Sequence, residues 1–199
     1  MNAPLIGLIG KKRVGKDTFA ATLTERHGYT RVALADPLRD AARELDPIMG
    51  TFPLLDEGLT RVREWRYSDV IDSIGYEKAK DYAPEIRRTL QKLGQAIRTI
   101  DPEFWLRAAM AKVDAIDGPV VITDVRFPNE ADAIKAAGGY LVRITRDLPD
   151  DGDTDISETA LDDYREDLWI GNNGSREDLA YLAFAVGRDL EFMQAVRRA

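Results

Sequence analysis

The sequence predicts a three-layer α/β/α fold on a mainly parallel five-stranded sheet. Three observations carry this. Short apolar runs bounded by glycine, proline or aspartate recur along the chain, which suits strands buried on both faces. Segments with helical spacing of apolar residues separate them. That alternation asks for crossover helices on both faces of a parallel sheet.

The elements follow in order. Residues 4–9 are apolar and run into glycines, a first strand. Residues 16–27 place Phe19, Ala20 and Leu23 at helical spacing, and Gly28 stops the helix. Residues 30–35 form a second strand ending at Asp36-Pro37, and Pro37 suits the first turn of a helix to about residue 45. Residues 46–82 mix prolines, glycines, aromatics and charges, and are expected to hold short helices over one end of the sheet. Helices follow at 84–98 and 102–116. Gly118-Pro119 then turns the chain into the strand Val120-Val121-Ile122-Thr123. Residues 130–137 are helical and 140–144 extended. Residues 147–155 carry five aspartates, a proline and a glycine, the composition of a mobile loop. A fifth strand at 168–170, a turn at Asn172-Asn173-Gly174 and a helix over 176–198 complete the chain.

The bulk numbers narrow the function classes. With 199 residues and 44% hydrophobic content, the chain supports one substantial core, read as a single domain over 1–199. Cysteine is absent, which excludes a disulfide scaffold, a cysteine nucleophile and thiolate metal sites. The single histidine, His27, cannot build a multi-histidine zinc site. No apolar stretch approaches the roughly 18 to 20 residues that span a bilayer, so no membrane partner is expected. The N-terminus has no basic region before its apolar run, and reads as a strand rather than a secretion signal. A cytoplasmic location is the resulting expectation. The net charge of -7 argues against nucleic acid as a partner, since such affinity comes largely from neutralising phosphates.

The sharpest local signal is Gly10-Lys11-Lys12-Arg13-Val14-Gly15-Lys16-Asp17-Thr18. It follows a strand and opens a helix, the context a phosphate-binding P-loop requires. Gly10 and Gly15 permit the tight turn, so that the amides of Lys12, Arg13, Val14 and Gly15 face an anion. The helix beginning near Lys16 adds its unpaired N–H groups and positive dipole end. Lys16 can bridge the β- and γ-phosphates, and Thr18 can donate to a phosphate oxygen. Asp17 stands where a serine or threonine normally reaches Mg²⁺; a carboxylate is also a hard ligand for that ion. An ordinary glycine-rich turn before a basic helix is the bland alternative.

A second landmark is Thr123-Asp124-Val125-Arg126. A carboxylate at the C-terminal end of a parallel strand lies on the ligand-binding edge of an open α/β sheet. Asp124 can hold Mg²⁺ through water, and Arg126 can bind phosphate bidentately. Alternatively Asp124 caps the next helix and Arg126 pairs with Glu130, four residues on.

The acceptor candidates lie between these landmarks, with residues 46–100 as the acceptor region. Gln91, Gly94 and Arg98 share a helical face at i, i+3 and i+7. Gln91 offers a donor and an acceptor to a base edge, Arg98 a phosphate contact, and Phe104 or Trp105 a stacking wall. Asp36, at the end of the second strand, can orient a sugar hydroxyl or an arginine, or cap the Pro37 helix. Tyr67 and Tyr76 are further candidates for the acceptor pocket. Arg146 suits a lid over residues 146–158 that closes on the transferring phosphate, whereas Arg143 lies inside a strand and reads as structural. Asn172 and Gly174 can supply backbone groups to an adenine pocket.

With these residues assembled, the sequence resembles the deoxynucleoside monophosphate kinases of bacteriophages. The matching stretches are Leu8-Ile9-Gly10 through Gly15-Lys16-Asp17-Thr18, Ala35-Asp36-Pro37-Leu38, Leu90-Gln91-Lys92-Leu93-Gly94 with Arg98, Asp101-Pro102 through Trp105, and Thr123-Asp124-Val125-Arg126-Phe127-Pro128-Asn129-Glu130. Ser157-Glu158 and Ile170-Gly171-Asn172 with Gly174 are weaker matches. The resemblance implies a P-loop NTPase fold of the nucleoside monophosphate kinase type, ATP as donor, Mg²⁺ and a deoxynucleoside monophosphate as acceptor. It also makes the Gly-Lys-Asp-Thr loop ending ordinary. That family often carries a histidine where this chain has Asp155, so no role is assigned there. Such enzymes are commonly homodimers, and a phage origin implies action in a bacterial host's cytoplasm.

The expected reaction is ATP + dNMP → ADP + dNDP by in-line transfer. Two alternatives stay open. A P-loop kinase for another small phosphorylated metabolite would be separated by acceptor-dependent ADP formation across a substrate panel. A nucleotide-binding switch or assembly protein would bind nucleotide tightly without acceptor turnover; the chain lacks a guanine-specific Asn-Lys-x-Asp motif.

Overall fold

The computed structural model describes residues 3–56, 59–148 and 159–198. Residues 149–158, most of the segment expected to be a lid, lie outside the described residues, as does the Ser157-Glu158 match. In order the elements are β1 (Leu5–Ile9), α1 (Lys16–His27), β2 (Thr30–Val32), α2 (Asp36–Leu45), β3 (Ile48–Asp56), β4 (Leu59–Arg66), α3 (Tyr67–Tyr82), α4 (Pro84–Ile100), α5 (Phe104–Asp114), β5 (Val120–Ile122), α6 (Pro128–Ala136), β6 (Tyr140–Thr145), β7 (Leu168–Gly171) and α7 (Arg176–Arg198). They divide into two compact units, Met1–Leu34 with Ala109–Ala199, and Ala35–Ala108.

The first unit is the expected three-layer sandwich. Its five strands run in the order β2-β5-β1-β6-β7, with every neighbouring pair parallel. All five residues of β1 are buried, as a central strand covered on both faces requires. Side chains alternate between the faces. Ile6 and Leu8 join Phe19 and Leu23 of α1 and Leu179 and Ala183 of α7 in one apolar cluster. Gly7 points the other way, where a Cβ would come within 2.7 Å of Ile134 on α6. Helices α1 and α7 thus cover one face, and α6 packs on the other.

Strand β2 is shorter than its apolar run. Thr123 N–H still reaches the Val32 carbonyl at 3.2 Å, but Leu34 N–H turns to the Asp124 carboxylate at 2.6 Å. A side-chain acceptor replaces the ladder, and the chain leaves the sheet.

The second unit corrects the expected short helices over 46–82. Strands β3 and β4 form an antiparallel hairpin from Ile48↔Arg66 to Asp56↔Leu59, followed by α3. The reason is visible in Leu-Thr-Arg-Val-Arg-Glu-Trp-Arg, where β-formers alternate with charges. Pro53 is tolerated because both strands of a two-stranded ribbon are edges. Helix α3 is kinked at Gly75, with φ 73° and ψ 163°. The unit's core gathers Ala42, Tyr67, Val70, Ile71, Ala79 and Ile86. Among the described residues, no helix is long and apolar enough to cross a membrane.

Candidate functional site

The phosphate loop grows directly out of β1. Gly10 has φ 138° and Gly15 φ 107°, conformations that a Cβ would strain. Space is also denied at both. A Cβ at Gly10 would lie 2.2 Å from the Ile144 carbonyl oxygen, and one at Gly15 would lie 2.7 Å from both Asn172 Nδ2 and Leu179 Cδ2. Arg13 adopts φ 64° between them. Lys16 is the first residue of α1, and its ammonium donates to the Gly10 carbonyl and to the Lys11 carbonyl, the latter at 2.7 Å. Its charge therefore lies over the mouth of the loop. A helix N-terminus, its dipole and a lysine together make an anion cradle.

Asp17 is exposed at the second residue of α1, and its Oδ1 accepts from Arg31 at 3.5 Å. Thr18 sits one residue further, its carbonyl accepting from the Thr22 hydroxyl. Asp124 is half-buried at the carboxyl end of β5, tied by one oxygen to Leu34 N–H. These are hard oxygen donors. Mg²⁺ commonly takes one or two protein carboxylates and completes its shell with substrate phosphates and water, so the donor set fits that ion. Among the described residues no group of three or more metal-ligating side chains occurs.

Arg126 is half-buried just before α6. Glu130 accepts its backbone N–H at 2.7 Å and that of Phe127 at 3.1 Å. The i, i+4 relation is thus used to cap α6 through the backbone. Arg146 is exposed one residue beyond β6. Arg143, inside β6, holds Glu166 at 2.9 Å and the carbonyls of Leu161 and Tyr164 at 2.8 and 2.6 Å, a structural hub as its strand position suggested.

Asn172 is 5% exposed. Its Nδ2 donates to the Val14 carbonyl at 2.8 Å, so its side chain supports the phosphate loop from behind. Gly174 precedes a reciprocal cap on α7. Asp178 accepts from Ser175 N–H and its hydroxyl, while Ser175 Oγ accepts Asp178 N–H. The Ser175 N–H, and then its hydroxyl, hold the Asp178 carboxyl below the usual carboxylate range. A depressed value stabilises the fold fully above the ordinary carboxylate pKa and loses that contribution as pH falls through the depressed one. Asp178→Asn should flatten this acid-side dependence, read as thermal midpoint against pH.

The acceptor candidates belong to the second unit. Asp36 opens α2 and accepts from Arg39 Nη1 at 2.8 Å, taking up an arginine, one of the two partners expected for it. The Arg39 guanidinium lies 5.4 Å from the centre of the Tyr76 ring. The i, i+3 spacing of Asp36 and Arg39 is the signal in the sequence for this pair. Tyr67 is fully buried, and burial pushes its phenol well above the ordinary value. Gln91 and Arg98 are exposed on α4, whereas Gly94 is buried.

What approaches Gly94 comes from the same unit. A Cβ there would sit 3.2 Å from Leu38, and Trp105 Nε1 donates to its carbonyl at 3.1 Å. Trp105 is 6% exposed, with its ring nearly perpendicular to that of Phe104. Its ring therefore braces α4. Trp105→Phe should lower stability by about 0.5 to 1.5 kcal/mol, the net worth of one hydrogen bond, because the Gly94 carbonyl keeps its partner within α4. Denaturant unfolding measures it, and an unchanged midpoint would count against the brace.

A parallel α/β sheet with this loop at the end of its first strand defines a P-loop protein, and the family matches that follow make it a phosphotransferase acting on a small nucleotide or metabolite. A family model described as deoxynucleotide monophosphate kinase matches residues 48–182. A putative deoxynucleotide monophosphate kinase of Acanthamoeba polyphaga mimivirus is 35% identical over 186 residues, covering 87% of this chain and 91% of that protein. The deoxynucleotide monophosphate kinase of Enterobacteria phage T4 is 26% identical over 231 residues, covering 88% and 95%. This chain belongs to the deoxynucleotide monophosphate kinase family. The matched span of the family model begins after the phosphate loop, so the loop's reading stands on its own geometry. Among solved structures, shikimate kinase from Aquifex aeolicus vf5 aligns with TM-score 0.41 and 14% identity over 94% of this chain and 98% of that one; the family assignment does not rest on it.

Proposed function

We propose that the protein transfers the γ-phosphate of ATP to a deoxynucleoside monophosphate, giving ADP and the deoxynucleoside diphosphate. The observation that carries this reading is the Lys16 cradle at the end of β1 in a chain of this family.

The acceptor phosphate is anionic at neutral pH, so its oxygen attacks without a dedicated base. A bond forms between that oxygen and the γ-phosphorus, and the bond to the β–γ bridging oxygen breaks. Catalysis then consists of positioning and charge stabilisation. The amides of Lys12 through Gly15, the Thr18 hydroxyl and the Lys16 ammonium hold the donor phosphates. Arg126 and Arg146 neutralise charge on the transferring group. Asp17 and Asp124 would hold Mg²⁺, directly or through water, and the ion would supply further neutralisation of the donor's charge. In the acceptor region Gln91 reads the base, and Arg98 holds the phosphate. The Asp36–Arg39 pair presents a second fixed guanidinium there. Trp105 contributes by bracing α4, and Asn172 by supporting the loop.

A coupled ADP-release assay over all ribo- and deoxynucleoside monophosphates tests the reading, with other phosphorylated metabolites as comparison. ADP release that depends on a deoxynucleoside monophosphate is expected. Release driven only by another metabolite, or nucleotide binding without acceptor turnover, would overturn it.

A further inference from the structure

The β7–α7 turn touches the chemistry from two sides, through adjacent asparagines. Asn172 N–H donates to the Thr145 carbonyl at 2.7 Å, extending the β6–β7 ladder by one residue beyond Thr145↔Gly171. Its side chain holds the Val14 carbonyl of the phosphate loop. Asn173 turns the other way. Its Oδ1 accepts Asp147 N–H at 2.9 Å, and its Nδ2 donates to Asp147 Oδ2 at 2.5 Å. Arg146 thus lies between two residues whose backbones are pinned by this turn, Thr145 by Asn172 and Asp147 by Asn173.

Such an arrangement exceeds what a strand end needs. Simple closure of the sheet would be served by the ladder bond at Thr145. The Asn173 clasp instead fixes the backbone on the far side of Arg146, while Asn172 registers the same turn against the loop. An exposed arginine on a four-bond side chain has wide reach, so an anchored backbone is what limits its position relative to the phosphate cradle.

We propose that Asn173 is a positioning residue that, by clasping Asp147, sets Arg146 relative to the phosphate loop held by Asn172. The proposal rests on the transfer role of Arg146 given above. It predicts a loss in turnover rather than in donor binding, because the loop's own support at Val14 is untouched.

The test uses Asn173→Asp, which sets two carboxylates against each other, and the exchange Asp147→Asn with Asn173→Asp, which restores a donor–acceptor pair in the reverse sense. Asn173→Asp should lower kcat by about tenfold or more, in the range that sub-ångström to ångström misplacement costs. ADP affinity should stay within about twofold, and the exchange should restore most of the turnover. In an Arg146→Ala background, Asn173→Asp should have no further effect on kcat, a non-additivity that general loosening of the fold does not produce. Equal slowing in both backgrounds, or an exchange that restores the thermal midpoint but not kcat, would overturn the positioning role. Full turnover by Arg146→Ala alone would instead remove the arginine's transfer role, and leave the clasp with nothing to position.

Discussion

Lys16→Ala is expected to slow phosphoryl transfer by about 10²- to 10³-fold, on the order of 3 to 4 kcal/mol of transition-state stabilisation. The ammonium sits over the loop mouth on the Gly10 and Lys11 carbonyls. Negative charge grows on the β–γ bridging oxygen as its bond to the γ-phosphorus weakens, so a fixed cation that reaches that bridge is worth more in the transition state than in the bound complex. Turnover should fall further than donor affinity. Lys11 is exposed, so water can replace the lost donor at its carbonyl and the fold should survive. Single-turnover ADP formation with saturating acceptor measures the effect. Near-wild-type transfer would sink the assignment of Lys16.

Gly10→Ala should be nearly as damaging, by a different route. The new methyl group would meet the Ile144 carbonyl oxygen at 2.2 Å, with φ at 138°. The obstacle is backbone, in a strand whose partners β1 and β7 hold it on both sides, so it cannot rotate away as a side chain would. Relief requires the loop to leave its conformation or β6 to leave its register. A cost of about 3 kcal/mol or more follows from combined strain and overpacking. The expected result is a lowered unfolding midpoint together with loss of ADP binding. A variant that keeps both would mean that the loop is not held in this conformation.

The two variants separate charge from shape. Lys16→Ala tests what the loop does to an anion, and Gly10→Ala tests whether the sheet dictates the loop.

The parallel sheet was legible because its strands are short, apolar and bounded by breakers, and a strand buried on both faces leaves that mark in sequence. The loop was legible because a strand, two glycines, a lysine and a helix start occur in fixed order. The β3–β4 hairpin was not. Its alternation is interrupted by Gly50 and Pro53, which read as breakers unless both strands are known to be edges. Gly94 shares its helical face with Gln91 and Arg98 in the sequence, yet it is covered by Leu38, and its carbonyl takes the Trp105 indole N–H.

The asparagine turn divides the two kinds of information most clearly. The pattern Ile170-Gly171-Asn172-Asn173-Gly174 marks a strand end and a turn, and nothing in it names the partners. Val14 lies 158 positions from Asn172, and Asp147 lies 26 from Asn173. By itself the sequence determined the alternation of strands and helices, the phosphate loop and the kinds of side chain available to it. The tertiary structure alone decided which of those side chains support the loop and which brace a helix. Local pattern encodes what each segment can form, whereas long-range partners are set by register and packing, which no spacing along the chain records.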